Sequence, residues 1–129
     1  MLAKDIMTKD VITVTSSTSL KSLAKRLSEK HISGAPVVDQ EGKLLGIVSG
    51  ADIVGKQGKQ VKSIMSKSIH SVAEDTPVEQ VAMVLTTHQI KRVPVMRGGK
   101  LVGIVSRADI VRAIAMGKHI AIHTPIYDL

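Results

Sequence analysis

Two Ser–Asp pairs are the residues whose type and spacing could do chemistry. Ser49-Gly50-Ala51-Asp52 and Ser106-Arg107-Ala108-Asp109 each set a hydroxyl three residues before a carboxylate, where an apolar β-type run ends and a helical pattern begins. Two readings are open. In one, Ser is the N-cap and Asp the third helical residue of a capping box, with no further role. In the other, the unpaired N–H groups and partial positive charge of a helix start suit a phosphate. A Ser hydroxyl would then add a donor, and the carboxylate could accept from both hydroxyls of a ribose. The readings are compatible, since a capped helix start can also hold a ligand. His119 and His123 stand four apart, a spacing that pairs two metal ligands on a helix, but Gly117 and Pro125 flank them and no third ligand is evident. No metal is therefore expected. No Ser/His/Asp triad, phosphate-cradling glycine loop or catalytic carboxylate pair stands out, and neither Asp has a partner base, so no catalytic residue and no enzyme activity is expected.

Charge narrows the chemistry only in part. The 129 residues include 18 Lys and Arg against 11 Asp and Glu, a formal charge of +7. The excess is local. Lys56, Lys59, Lys62 and Lys67 occupy a stretch without acids, and residues 91–118 carry Lys91, Arg92, Arg97, Lys100, Arg107, Arg112 and Lys118 against Asp109 alone. This pattern fits a solvated surface, small phosphorylated anions or nucleic acid, and charge does not choose among them. Composition excludes more. With no Cys there is no disulfide, thiol nucleophile or Cys-bound metal, and Tyr127 is the one aromatic residue, too few for a base-stacking nucleic-acid fold. The opening Met1-Leu-Ala-Lys-Asp5 does not read as a signal peptide. No apolar run approaches the roughly 18 residues that span a bilayer. A cytoplasmic protein without membrane association is expected.

The elements that position these residues come in two copies. Lys4-Asp-Ile-Met-Thr-Lys9 matches Lys62-Ser-Ile-Met-Ser-Lys67, and Ala35-Pro-Val-Val38 matches Val93-Pro-Val-Met96, both at an offset of 58. Gly42–Val54 matches Gly99–Val111 at an offset of 57, with eleven of thirteen positions identical. Each copy opens on a β-branched run, Val11–Thr15 or Ile69–Val72. A helix follows, with one apolar face at i, i+3, i+4 and i+7: Leu20, Leu23, Ala24 and Leu27, or Val78, Val81, Ala82 and Leu85. Thr76-Pro77-Val78-Glu79 reads as a capping box with Pro at the first helical position. Two β-runs around a glycine-bearing turn and a last helix complete a β-α-β-β-α unit. One such unit buries too little surface to be stable alone, and two packed together solve this. The expected organisation is repeat 1 at residues 1–57, a linker at 58–61, repeat 2 at 62–116 and a C-terminal tail at 117–129.

Two β-α-β-β-α units, each with a Pro-Val pair in a middle strand and Gly-Ile-Val-Ser-x-Ala-Asp near its end, resemble a tandem pair of CBS domains, a Bateman module. The resemblance covers roughly residues 3–116 and implies an α+β fold of two CBS repeats packed with pseudo-twofold symmetry. It also implies a regulatory sensor that binds adenosine-containing ligands (AMP, ADP, ATP or S-adenosylmethionine) in clefts between the repeats, needs no other cofactor, and pairs into a homodimer. By resemblance, Asp109 would hold a ribose and Ser106 approach a phosphate in one cleft. Lys91 and Arg92 would supply basic phosphate contacts, Arg107 would belong to the same cleft, Val93 and Pro94 would line the purine pocket, and Met7, Thr8 and Ile12 would form the opposite wall. The second cleft would use Ser49 and Asp52 with Ser33, Gly34, Ala35 and Pro36, faced by Met65, Ser66 and His70. Ser33 and Gly34 stand where the first cleft has Lys91 and Arg92, so the second is expected to take something less anionic, or nothing. Adenine would lie between aliphatic side chains, for want of aromatics.

The expected function is thus a stand-alone, non-catalytic module whose ligand-dependent state an effector protein reads in trans. The alternative is a nucleic-acid-binding protein using the basic surface. The tail, with Ile120, Ile122, Ile126 and Leu129 around Pro125, is expected to pack on its own module or on a dimer partner.

Overall fold

The structure, a computed structural model, describes residues 1–117. The expectations for the tail beyond Gly117, His119 and His123 included, lie outside the described residues. The elements run in the order α1 (Ala3–Ile6), α2 (Leu20–Lys30), β1 (Gly34–Val38), β2 (Leu44–Ser49), α3 (Gly50–Gly55), α4 (Val61–Ile64), β3 (Val72–Ala73), α5 (Val78–Thr87), β4 (Arg92–Arg97), β5 (Lys100–Ser106) and α6 (Arg107–Ala115). They gather into two compact units that do not coincide with the two repeats. Among the described residues, unit 1 takes Met1–Val11, His70–Gly98 and residues 102–117; unit 2 takes Ile12–Ile69 and Gly99–Leu101.

Unit 1 has a three-stranded sheet in the order β3-β4-β5, with β3 parallel to β4 through Val72↔Val95 and Ala73↔Met96. The β4–β5 turn is Gly98-Gly99, with φ of +55° and +85°. Both central residues of the two-residue turn that suits a twisted hairpin need positive φ, which glycine adopts without strain. The core joins Val78, Val81 and Leu85 of α5 to Val93, Val95, Val105 and Ile110, and is completed by Ala3 of α1.

Unit 2 pairs β1 with β2 antiparallel, Ala35↔Val48 and Val37↔Gly46, with an irregularity between Val37 and Val38. Asp39 shapes the turn, its Oδ1 accepting the N–H groups of Glu41 and Lys43 at 2.9 Å each. Its core holds Val14, Leu23, Leu27, Ala35, Val37 and Val48, completed by Val61 and Ile64 of α4. Each core is therefore closed by a short helix from the segment that precedes the other repeat.

The two straps dock alike. In unit 1 the N–H of Ala3 donates to Thr76 O (2.8 Å), Lys4 to Glu74 O (2.9 Å) and Val78 to Met1 O (3.0 Å). In unit 2 Val61 donates to Thr18 O (2.9 Å), Lys62 to Ser16 O (2.9 Å) and Leu20 to Lys59 O (3.2 Å). Every one of these partners is related by the 58-residue offset read from the sequence.

Three local expectations are corrected. The run Val11–Thr15 is not a strand; it contributes one parallel bridge, Val14↔Val37, and the equivalent strand in unit 1 is only Val72–Ala73. Hydroxyls end both runs. Thr18 Oγ1 accepts the N–H of Thr15 (3.3 Å), and Thr76 Oγ1 that of Ala73 (3.1 Å). Such local side-chain bonds compete with a ladder and turn the chain. The Thr76 hydroxyl, so engaged, does not cap α5, whose N-cap is Pro77 without a side-chain bond. In α2 the equivalent Ser19 does cap, accepting the N–H of Ser22 at 3.1 Å. Finally, Ala24 lies exposed, outside the apolar face that Leu23 and Leu27 bury.

Candidate functional site

Both Ser–Asp pairs are capping boxes. At the start of α6, Ser106 Oγ accepts the N–H of Asp109 (3.3 Å), and Asp109 Oδ2 accepts the N–H (2.8 Å) and the hydroxyl (3.0 Å) of Ser106. At the start of α3 the same three bonds join Ser49 and Asp52 at 3.3, 2.9 and 3.2 Å. One oxygen of each carboxylate is thus fixed in the cap. The other meets a cation one turn on. Asp109 Oδ1 accepts from Arg112 Nη1 at 3.0 Å, and Asp52 Oδ1 from Lys56 Nζ at 2.9 Å. An ionised carboxylate has about four acceptor positions. Three are filled here at each Asp, so a sugar hydroxyl has one left, and a second would have to displace the cation. Arg112 can yield, since its side chain is 65% exposed whereas Asp109 is buried. Lys56 is held more firmly, for its Nζ also donates to Ile64 O at 3.1 Å. In the sequence Lys56 and Arg112 stand only as surface charge, and the structure pairs them with the two carboxylates. Their spacing of four and three from the Asp, on a helix, was the signal that could have found them. Burial by itself would raise the Asp52 pKa. The hydrogen bonds from Lys56 and Ser49 and the Lys56 charge outweigh it and hold the carboxyl below its ordinary 3.8.

The wall beside each capped helix comes from the strap. In unit 1 Thr8 forms an antiparallel bridge with Ile104, with bonds of 2.8 and 3.0 Å, and Met7 lies on the bare Cα of Gly103. In unit 2 Ser66 bridges Ile47 with bonds of 2.9 and 2.8 Å, and a Cβ on Gly46 would stand 2.9 Å from Met65 Sδ. A side chain on Gly103 would run into Met7 of the strap, and one on Gly46 into Ser66 O and Met65. Met7 and Thr8 are so joined to the strand that ends in Ser106, and Met65 and Ser66 to the strand that ends in Ser49.

The residues ahead of the middle strand are tied to the same helix starts. The N–H of Arg107 donates to Lys91 O at 3.0 Å, and that of Gly50 to Ser33 O at 2.9 Å. Lys91, Arg92 and Arg107 are exposed, while Val93 and Pro94 are buried in β4, as Ala35 and Pro36 are in β1. Unit 1 therefore brings together Met7, Thr8, Lys91, Arg92, Ser106, Arg107 and Asp109. Unit 2 brings together Ser33, Gly34, Ser49, Asp52, Met65 and Ser66. Two residues group otherwise. Ile12 belongs to unit 2, and His70 to unit 1, where its ring stacks on that of His88 with centroids 3.6 Å apart. Unit 1 also has an apolar groove of about 390 Å³ between α5 and α6, floored by Leu85, Ile110 and Ile114 and edged by Arg107. Among the described residues, no three His, Asp or Glu side chains could share a metal ion, and no helix is long and apolar enough to cross a membrane.

Doubled α+β repeats, each ending in a capped Ser-x-Ala-Asp helix, define the class, and comparison with known proteins agrees. The CBS domain family matches residues 3–58 and 61–116, and the chain belongs to that family. Among solved structures, CBSX2 in complex with AMP is similar at a TM-score of 0.85 and 32% identity, over 92% of this chain and 98% of that one; CBSX2 is a protein of Arabidopsis thaliana. The CBS domain pair of protein MJ0100, in complex with 5′-methylthioadenosine and S-adenosyl-L-methionine, is similar at a TM-score of 0.80 and 36% identity, over 92% and 98%. A curated relative, L-aspartate semialdehyde sulfurtransferase of Methanocaldococcus jannaschii, is 37% identical over 115 residues, 86% of this chain but 23% of that protein. The next two curated relatives are spanned over 38% and 14% of their lengths. The matches to relatives named as enzymes are thus partial.

Proposed function

We propose that the chain is a non-catalytic regulatory module that binds adenosine-containing ligands, one site in each unit. The observation that carries this reading is the repeated assembly of capped Ser–Asp helix start, strap methionine and Pro-Val strand, present twice in the chain. AMP, 5′-methylthioadenosine and S-adenosyl-L-methionine in the two similar CBS-pair structures support the ligand class. In unit 1 Asp109 would take a ribose hydroxyl at its open acceptor position, exchanging Arg112 for the second hydroxyl. Lys91, Arg92 and Arg107 would face the phosphate, and Met7, Thr8 and Pro94 the adenine. In unit 2 Asp52, Ser49, Pro36, Met65 and Ser66 would do the same without the cations. Occupancy would change the population of conformers that an effector protein reads. Homodimer formation and a cytoplasmic location belong to the same reading. None of these observations favours nucleic acid as the partner.

Titration calorimetry with AMP, ATP and S-adenosylmethionine tests the proposal. Saturable binding of at least one is expected, and no heat from any of them at millimolar concentration would refute it. Analytical ultracentrifugation with and without ligand gives the oligomeric state.

A further inference from the structure

We propose that the two sites sort adenosine ligands by the charge at their 5′ end, unit 1 taking 5′-phosphorylated ligands and unit 2 those without a phosphate. This rests on the reading of the Ser–Asp pairs as adenosine sites and adds to it a rule of selection. The repeat supplies an internal control. Gly42–Val54 and Gly99–Val111 differ at just two positions, Leu45 against Val102 and Gly50 against Arg107. The second difference adds a cation directly after the capping Ser. The backbone bonds Gly50 N–H to Ser33 O (2.9 Å) and Arg107 N–H to Lys91 O (3.0 Å) are equivalent. Residues 33 and 50 are therefore joined at the start of α3 as 91 and 107 are joined at the start of α6, and Gly34 and Arg92 open the strands that follow 33 and 91.

Unit 1 has three exposed cations at these positions and unit 2 has none. The cation nearest Asp52 cannot substitute for them, because Lys56 is already shared between Asp52 Oδ1 (2.9 Å) and Ile64 O (3.1 Å). A dianionic phosphate entering unit 2 would lose water without gaining a charge partner. An uncharged or cationic 5′ group has no such cost.

Steric space decides how the rule can be transplanted. A Cβ on Gly50 meets nothing closer than Ser33 O at 3.9 Å, and Ser33 is exposed. A Cβ on Gly34 would stand 2.8 Å from Val48 O, so that position is closed to any side chain. Positive charge can thus enter unit 2 through Ser33→Lys and Gly50→Arg, but not through residue 34.

The experiment is calorimetric titration of the full chain with AMP and with adenosine, in wild type, in K91Q/R92Q/R107Q and in S33K/G50R. Wild type should bind AMP at one site with a preference over adenosine, while adenosine fills the other. Loss of the three cations should reduce the AMP-over-adenosine preference by about tenfold or more, the scale of one charge-assisted contact. The S33K/G50R variant should gain a second AMP site. The inference is overturned if wild type binds two AMP with equal affinity, or if the glutamine variant keeps its preference. It also falls if S33K/G50R gains no AMP site while still binding adenosine. If wild type binds neither probe at millimolar concentration, the adenosine reading itself fails; adenosine binding with an unaltered AMP preference removes the sorting rule alone.

Discussion

Met7 fills the space that a side chain on Gly103 would take: its Sδ, Cγ and Cβ are the three nearest atoms to a Cβ placed there. The equivalent pair, Met65 and Gly46, differs in one respect. There the nearest atom is Ser66 O, at 2.8 Å, with Met65 Sδ at 2.9 Å. A thioether can swing away and a bridged carbonyl cannot. Gly103→Ala and Gly46→Ala should each destabilise by about 1–3 kcal/mol through overpacking. Met7→Ala should recover most of the loss at 103, whereas Met65→Ala should recover little at 46. Urea denaturation of the four single and two double variants measures both cycles.

The capping boxes set a second expectation. Ser106→Ala removes the acceptor for the Asp109 N–H and one donor to a buried carboxylate. It should cost about 1 kcal/mol in thermal or urea unfolding. Ser49→Ala breaks the same box at the shorter and more exposed α3, and its cost should be the smaller of the two.

Asp52 gives a pH dependence of definite sign. Its pKa is lowered in the folded state, despite the opposing effect of burial, by Lys56 and Ser49. A lowered carboxyl contributes stability that is complete above its unfolded value and is lost as pH falls through the folded one. The contribution should therefore be constant well above pH 3.8 and decline progressively as pH falls past it. Asp52→Asn should flatten the acid limb of the stability curve, and Lys56→Met should flatten it less, since the Ser49 bonds remain. Unfolding free energies between pH 2 and pH 6 test the order.

Ligand binding should be unequally sensitive to the two carboxylates. Asp109→Ala should weaken AMP binding much more than Asp52→Ala, because under the proposed function Lys91, Arg92 and Arg107 would face the phosphate in unit 1, and the equivalent positions of unit 2, Ser33, Gly34 and Gly50, carry no cation. Equal losses in a calorimetric titration would contradict this.

Much of the fold was legible because the repeat is close. The offset that aligns Lys4 with Lys62 also relates the strap bonds of Ala3 and Val61, and Ser49 and Ser106 cap as their spacing says. What escaped the sequence was decided by competition between local and distant partners. Val11–Thr15 has strand-like residues, yet the Thr18 hydroxyl turns the chain after Val14. Thr76 looks like an N-cap, yet its hydroxyl serves Ala73 upstream. The capping role of the two Ser–Asp pairs was legible in their spacing. The partners of the carboxylates were not, because Lys56 and Arg112 look like ordinary surface charge until their helices place them beside Asp52 and Asp109.

The straps also bear on the order in which the protein takes shape during synthesis. The core of unit 2 runs from Val14 to Ile64, so all its members have been translated once Ile64 is made. The core of unit 1 begins with Ala3 and ends with Ile110. Ala3 must therefore wait for Ile110, across the long sequence separation that slows folding. The nascent chain should consequently complete the core of unit 2 before that of unit 1, with α1 among the last pieces of the two cores to settle.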